Sequence, residues 1–281
     1  MPSPNSQTVE KGEMMKGLVT VGAVLILWAA MLTAGPIEIY LSGGPSAAAL
    51  DEINAIKDRI NAIITLLNDT IALLPEIEIT EEVGLLDDMG SGMIAYQAGE
   101  RFWLSDRFAL GGKLEGFRTS TSTAGTYVST VDSEVSIDLN CYAVGFLLSG
   151  RYDFLNAGVI LSAELGAGYY YSGFNRAITF QIPPEYPDAI SGLPPEGEGR
   201  YSGSTLGFEG GLSLSFPITD WLAVGSSLFY RSLTLGEMRD RQGNSLDLDG
   251  DGTPEKVDLG GITVQFTFSL IIDLNPEREK E

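Results

Sequence analysis

The stretch DLDGDGTPEKVD at 247–258 places carboxylates at alternate positions, Asp247, Asp249 and Asp251, ahead of Gly252. A tightly wound loop turns alternate side chains toward one centre, and a hard dication takes about six to eight oxygens at roughly 2.3–2.6 Å. The Thr253 carbonyl, Glu255 and Asp258 complete a set of six candidate ligands. Calcium is the cofactor this spacing predicts, with Gly252 supplying the sharp turn. Asp258 is one methylene shorter than a glutamate at the last position, so the expected affinity is weak, on the order of 10⁻⁴–10⁻³ M. A solvated acidic turn between two strands is the plainer reading of the same residues.

Other chemistry is narrowed by what is missing. The chain has no histidine and one cysteine, Cys141, so Cys/His zinc sites, Cys/His nucleophile pairs and internal disulfides are excluded. Cys141 reads as a small buried or lipid-facing hydrophobe. GSGMIA at 90–95 superficially fits a dinucleotide loop but opens a strand instead of a helix. With 38 acidic and 17 basic residues and a formal net charge of −21, the chain would repel phosphate backbones, so nucleic acid is not an expected partner. The 247–258 loop resembles the calcium loops of EF-hand and dockerin-like proteins, although no flanking helices are evident.

Six more charged residues, Lys113, Glu115, Arg151, Glu164, Glu209 and Arg231, fall at mid-strand positions. Carboxylates among them could serve as acid and base. Three bases and three acids on a common face read more simply as ion pairs.

The elements that must position these groups alternate with period two from about residue 90. In 261–272, Ile262, Val264, Phe266, Phe268, Leu270 and Ile272 share one face, opposite Thr263, Gln265, Thr267 and Ser269. The stretches 157–171 and 206–216 repeat the pattern. Charges on the polar face are costly against lipid and natural in a polar lumen. A soluble sandwich would keep them on its outside. Short connections near Ser105–Arg107, Asp153–Asn156 and Pro217–Asp220 alternate with long ones near 119–134, 173–201 and 237–258, and aromatics such as Phe102, Tyr152, Phe216 and Trp221 flank the short ones.

On these alternations, the turns WLSD and FPITDW and an aromatic last strand, residues 90–273 resemble the small outer-membrane barrels of the OmpA/OmpX type. That resemblance implies an all-β, antiparallel up-and-down transmembrane β-barrel of about eight strands, filled by side chains, in the outer membrane of a diderm bacterium. Enzymes of this architecture use histidine, as the resemblance implies, and this chain cannot reproduce such sites. Seven strands are evident, and EIEITEEVGLL at 76–86 is the candidate for an eighth.

Ahead of the barrel, residues 1–35 read as a signal region: Lys16, an apolar run from Leu18 to Met31, then small residues. An uncleaved anchor continuing through PIEIYL to Leu41 is the alternative. Ile53, Ile60, Leu67 and Leu74 then repeat every seven residues with Ile56, Ile63 and Thr70 between them, ending at Pro75. This predicts an N-terminal amphipathic helix over 36–75, preceding a barrel at 76–273 and a polar tail at 274–281. The stripe could serve self-association through 46–74 or packing on its own domain. Taken together, the residues predict a non-enzymatic structural or adhesive barrel with a calcium-ordered extracellular loop. The alternatives are a porin-like channel for small solutes and a soluble, membrane-tethered β binding domain.

Overall fold

The computed structural model describes residues 36–72, 78–128, 132–181, 196–248 and 252–273. The expected signal region and polar tail lie outside the described residues. In chain order the elements are β1 (Ile37–Ser46), α1 (Asp51–Ala72), β2 (Glu78–Glu81), β3 (Met93–Trp103), β4 (Phe108–Val128), β5 (Asp132–Asn156), β6 (Ile160–Gln181), β7 (Gly197–Thr219), β8 (Leu222–Ser232), β9 (Thr234–Glu237), β10 (Lys256–Asp258) and β11 (Gly261–Ile272).

Alternation decides the architecture, because successive side chains of a strand point to opposite faces. In β1, Ile39 and Leu41 are exposed while Glu38, Tyr40 and Ser42 are buried. In β11, Ile262, Val264, Phe266 and Phe268 are exposed while Thr263 and Gln265 are buried. Every neighbour pairing is antiparallel, and β1 pairs with β11 on one side and β3 on the other. The ring β1–β3–β4–β5–β6–β7–β8–β11 is therefore closed with eight strands. Closure is what hydrocarbon demands, since an open edge leaves backbone N–H and C=O groups with no partner.

Three connections, at 104–107, 157–159 and 220–221, are short. Ile37 and Ile272 pair with each other at that same end, so both ends of the ring lie beside the short turns. At the other, distal end the strands differ in height. β4, β5, β6 and β7 have 21, 25, 22 and 23 residues, whereas β1, β3, β8 and β11 have 10, 11, 11 and 12. About 9–11 residues cross a membrane, so the four long strands continue past it as a curved wall. Of the Ser/Thr-rich 119–133 segment, expected as a loop, 119–128 form the top of β4 and 132–133 the start of β5. Thr119 and Thr121 point inward there, and β-branched threonine suits a pleated surface.

The helix does not precede the barrel. It lies between the first and second barrel strands, in a distal connection running from 47 to 92. The boundaries at 75 and 76 are corrected accordingly, and the ring spans 37–272. The missed first strand is IEIYLSGGPS, whose alternation is hidden because an apolar run precedes it and only Glu38 breaks it. Gly43, Gly44 and Pro45 lie inside β1, where a Cβ on Gly44 would meet the Val264 carbonyl oxygen at 2.2 Å. The candidate strand at 76–86 shrinks to the four residues of β2, which pair with the distal end of β4 outside the ring.

Above the barrel the polarity is that of a soluble protein. Ile53, Ile56, Ile60, Ile64, Leu67 and Ile71 of α1 form one buried cluster with Val135, Ile137, Leu139 and Cys141 of the wall and with Leu246, Leu248 and Val257 of the last distal connection. Each buried side chain of this size contributes roughly 1.5–3 kcal/mol. Ile53, Ile56, Ile60 and Leu67 of the heptad stripe are thus covered within the chain, Ile63 is half-buried, and the side chains of Thr70 and Leu74 lie outside the described residues. Asn54, Asn61 and Asn68 hold a partner segment along the helix: their amide Nδ2 groups donate to the carbonyls of Met89, Leu86 and Val83 at 3.0, 2.9 and 2.9 Å. Asn54 and Asn61 also accept from the Met89 and Leu86 amides at 2.9 and 2.8 Å. Seven residues of helix thereby match three residues of extended chain, and Val83, Leu86 and Met89 are buried between the clamps. Lys57 on the same element pairs with Asp58 at 2.7 Å and with Asp88, and these two carboxylates hold its ammonium pKa above the usual lysine value.

Candidate functional site: the packed lumen and the distal cap

Inward positions of seven barrel strands bring charges into contact at membrane height. Lys113 of β4 reaches Glu164 of β6 at 2.8 Å and also pairs with Glu209 of β7. Arg231 of β8 meets Glu115 of β4 at 3.0 Å. Arg151 of β5 meets Asp153 at 2.8 Å and Glu38 at 3.6 Å. All six charged residues singled out from alternation point inward and are buried. The structure joins Lys113 with two of their carboxylates and Arg231 with the third, whereas Arg151 pairs with acids from outside that set.

The rest of the network was not picked out from the sequence. Arg101 of β3 bridges Glu164 and, at 3.3 Å, Glu38 of β1. Tyr170 donates to Glu115, and Gln97 donates to the same carboxylate at 3.2 Å. Guanidinium groups stack on rings, Arg101 at 3.9 Å from the Tyr40 centroid and Arg231 at 3.9 Å from Phe117. Four cations thus face five carboxylates, Glu38, Glu115, Asp153, Glu164 and Glu209. Arg101 falls in the same alternation as its neighbours and could have been found there; Glu38 was hidden with its strand. Among the described residues, a lumen cavity beside Tyr40, Arg101 and Gln265 measures about 10 Å³, space for one water at most.

The distal loop carries the expected cation ligands. Gly252 has φ +85°, and its amide donates to Asp247 Oδ2 at 3.0 Å, which wraps the turn around the first carboxylate. Glu255 Oε1 accepts from the Leu248 amide at 2.7 Å. Asp258 Oδ1 accepts from the Gly260 amide at 2.8 Å. Three of the six expected ligands, Asp247, Glu255 and Asp258, are therefore also engaged by backbone amides. Asp249 and Asp251 lie outside the described residues, and Thr253 is exposed. The loop is tied to the helix start, where Glu52 accepts from the Lys256 amide at 2.7 Å and the Leu50 amide donates to the Asp258 carbonyl at 3.1 Å.

An even number of antiparallel strands in a closed ring, an apolar exterior, exposed Trp221, Phe154, Tyr96 and Tyr230 near its margins and short turns beside the chain ends define a small outer-membrane β-barrel. The outer-membrane lipid bilayer is its partner, and the short turns lie at the end that in bacterial barrels of this kind faces the periplasm. A soluble tethered domain is overturned by the lipid-suited exterior. No described helix is long and apolar enough to cross a membrane; the crossing is made by strands.

No family model matches the chain, and no curated protein matches its sequence. Among solved structures it is similar to the outer membrane protein OprG from Pseudomonas aeruginosa, at 12% identity over 85% of this chain and 97% of that one, with a TM-score of 0.35. Ail, the attachment invasion locus protein of Yersinia pestis, matches at 13% identity over 84% and 97%, with a TM-score of 0.34. The N-terminal β-barrel domain of Pseudomonas aeruginosa OprF matches at 11% over 85% and 98%, with a TM-score of 0.32. It is this chain's own strand pairing, not these likenesses, that makes it a closed barrel.

Proposed function

We propose that the chain is a non-enzymatic outer-membrane barrel with a structural or adhesive role, a rigid membrane body that presents an ordered cap outside the cell. The observation that carries this reading is the packed lumen, where Arg101, Lys113, Arg151 and Arg231 are each matched to a carboxylate and the cavity beside Tyr40 and Arg101 is about 10 Å³. Eight strands give an interior that side chains fill, which favours this role over a solute channel. Catalysis would need a base free to accept a proton, and the lumen carboxylates are instead held by cations. In planar bilayers the purified protein is expected to give no single-channel steps, and steady steps of reproducible size would sink the structural reading.

The distal loop is, in this reading, calcium-ordered, with Asp247, Asp249, Asp251, the Thr253 carbonyl, Glu255 and Asp258 as the candidate ligands. The turn of Gly252 over Asp247 supports it. Calcium supplies a dication that draws these oxygens together, and the bonds from Lys256 to Glu52 and from Leu50 to Asp258 would pass that order to the helix start. Titration calorimetry of the detergent-solubilised protein should show calcium binding at about 10⁻⁴–10⁻³ M. Asp247→Asn is expected to weaken it roughly ten-fold or more. Identical heats for the two proteins would remove calcium from the reading.

A further inference from the structure

The outer wall of β4–β7 changes character stepwise as it leaves the bilayer. Outward residues recur every second position, about 6.6–7 Å apart. Val144 and Tyr171, paired across β5 and β6, belong to the exposed apolar band. One rung further out stand Arg118 and Tyr142, and the next holds Asn140, Asn175 and Arg200. Asp138 and Glu198 follow one rung beyond. These rungs line a trough of about 850 Å³ that also takes in Arg176 and Arg241.

The arginines of the trough differ from those of the lumen. Every lumen arginine is paired with a carboxylate. Among the described residues, Arg118, Arg176, Arg200 and Arg241 make no ion pair. Nε and Nη1 of Arg176 are buried without a hydrogen-bond partner, and its guanidinium lies 5.9 Å from the Tyr201 ring centroid. Arg118 is steadied by Asn140, whose amide oxygen accepts from Nε at 2.9 Å. Of the carboxylates lining the trough, Asp240 is engaged by the Gln242 and Asn244 amides, each at 2.8 Å. In a chain with 38 acids and 17 bases, four arginines without ion pairs stand against three lining carboxylates, Asp138, Glu198 and Asp240, which leaves this depression one positive charge in excess.

We propose that this trough binds the phosphate-bearing headgroup of a glycolipid in the outer leaflet. Guanidinium groups match phosphate oxygens two at a time, and Tyr142 offers a ring for the sugar. The position argues for a membrane-borne ligand over a dissolved one, because Tyr96, Val144 and Tyr171 line both the trough and the lipid-facing band. A headgroup seated among the arginines therefore leaves its acyl chains against the barrel. The inference rests on the outer-membrane placement, and neither the adhesive role nor calcium enters it.

The test uses the whole folded protein in dodecyl maltoside, titrated with bisphosphorylated lipid A, with the same lipid stripped of phosphate, and with glucosamine 6-phosphate. Phosphorylated lipid A is expected to bind at least ten-fold more tightly than either of the others. The double variant R118Q/R200Q, changed only on the outer face, is expected to lose at least ten-fold while keeping a gel-mobility shift on boiling. If that variant fails to fold, R241Q, in the distal connection, carries the same comparison. Equal binding by variant and parent, or equal binding of the two lipid forms, would overturn the site. Glucosamine 6-phosphate binding as tightly as lipid A would overturn the membrane source in favour of a soluble anion.

Discussion

Lys113→Met is expected to destabilise the barrel by about 3–5 kcal/mol, the range for removing one partner of a buried ion pair. Lys113 is 1% exposed and joins Glu164 to Glu209. Without it Glu164 keeps Arg101, whereas Glu209 loses the cation that the lumen supplies to it. Three cations would then face five carboxylates in a space that admits about one water. The loss is measurable as a lower urea midpoint for the gel-mobility shift that distinguishes folded from boiled barrel. Adding Glu209→Gln should return part of it, because contacting residues couple by about 0.5–3 kcal/mol in double-mutant cycles. A midpoint unchanged by Lys113→Met would mean that the lumen is hydrated and that its charges do not hold the wall together.

The second large effect is expected in the cap. Ile64→Ala removes a fully buried side chain from the contact between α1 and the strand wall. Such truncations cost about 2–5 kcal/mol. The cost should fall mainly on the distal connection, since no lumen ion pair includes a residue of α1, although one buried apolar cluster runs from α1 to Phe117 and Tyr170 of the barrel. Hydrogen exchange should therefore speed up over 51–72 and 83–89, where the Asn54, Asn61 and Asn68 clamps sit, while the boiling-dependent mobility shift persists. Simultaneous loss of protection and of the shift would instead make cap and barrel one cooperative unit.

These two variants separate two interiors that obey opposite rules. At membrane height the outside is apolar and the inside ionic, because lipid is the solvent on one face and the neighbours across the lumen are the solvent on the other. Beyond the membrane, water surrounds the same strands, and the inward positions of β5 switch from Arg151 and Ser149 to Leu139, Ile137 and Val135. A single strand of 25 residues thus carries both codes in sequence.

Much of this was legible in the chain. Alternation in 261–272 and the inward placement of Lys113, Glu164 and Arg231 follow from period two alone, and the short turns follow from the breaks in that period. The heptad of α1 was equally legible as a stripe, but a stripe does not name what covers it. The seven-residue spacing of Asn54, Asn61 and Asn68 runs beside it in the sequence, and its meaning depends on a backbone segment that the helix meets only after the chain turns back. β1 is hard to see because ten residues with one charge, following the apolar run at 18–31, look like that run's continuation. Thr119 and Thr121 belong to a Ser/Thr run of the kind common in loops, and it is the facing strand β5 that makes them a wall.

The sequence by itself determined a run of period-two strands with one apolar and one polar face, since periodicity is a local property that needs no partner to be seen. Only the tertiary structure decided which charge meets which, where the helix sits and what covers its stripe. Those outcomes depend on ring closure, which brings Arg231 onto Glu115 across 116 residues of chain and sets the start of the barrel beside its end.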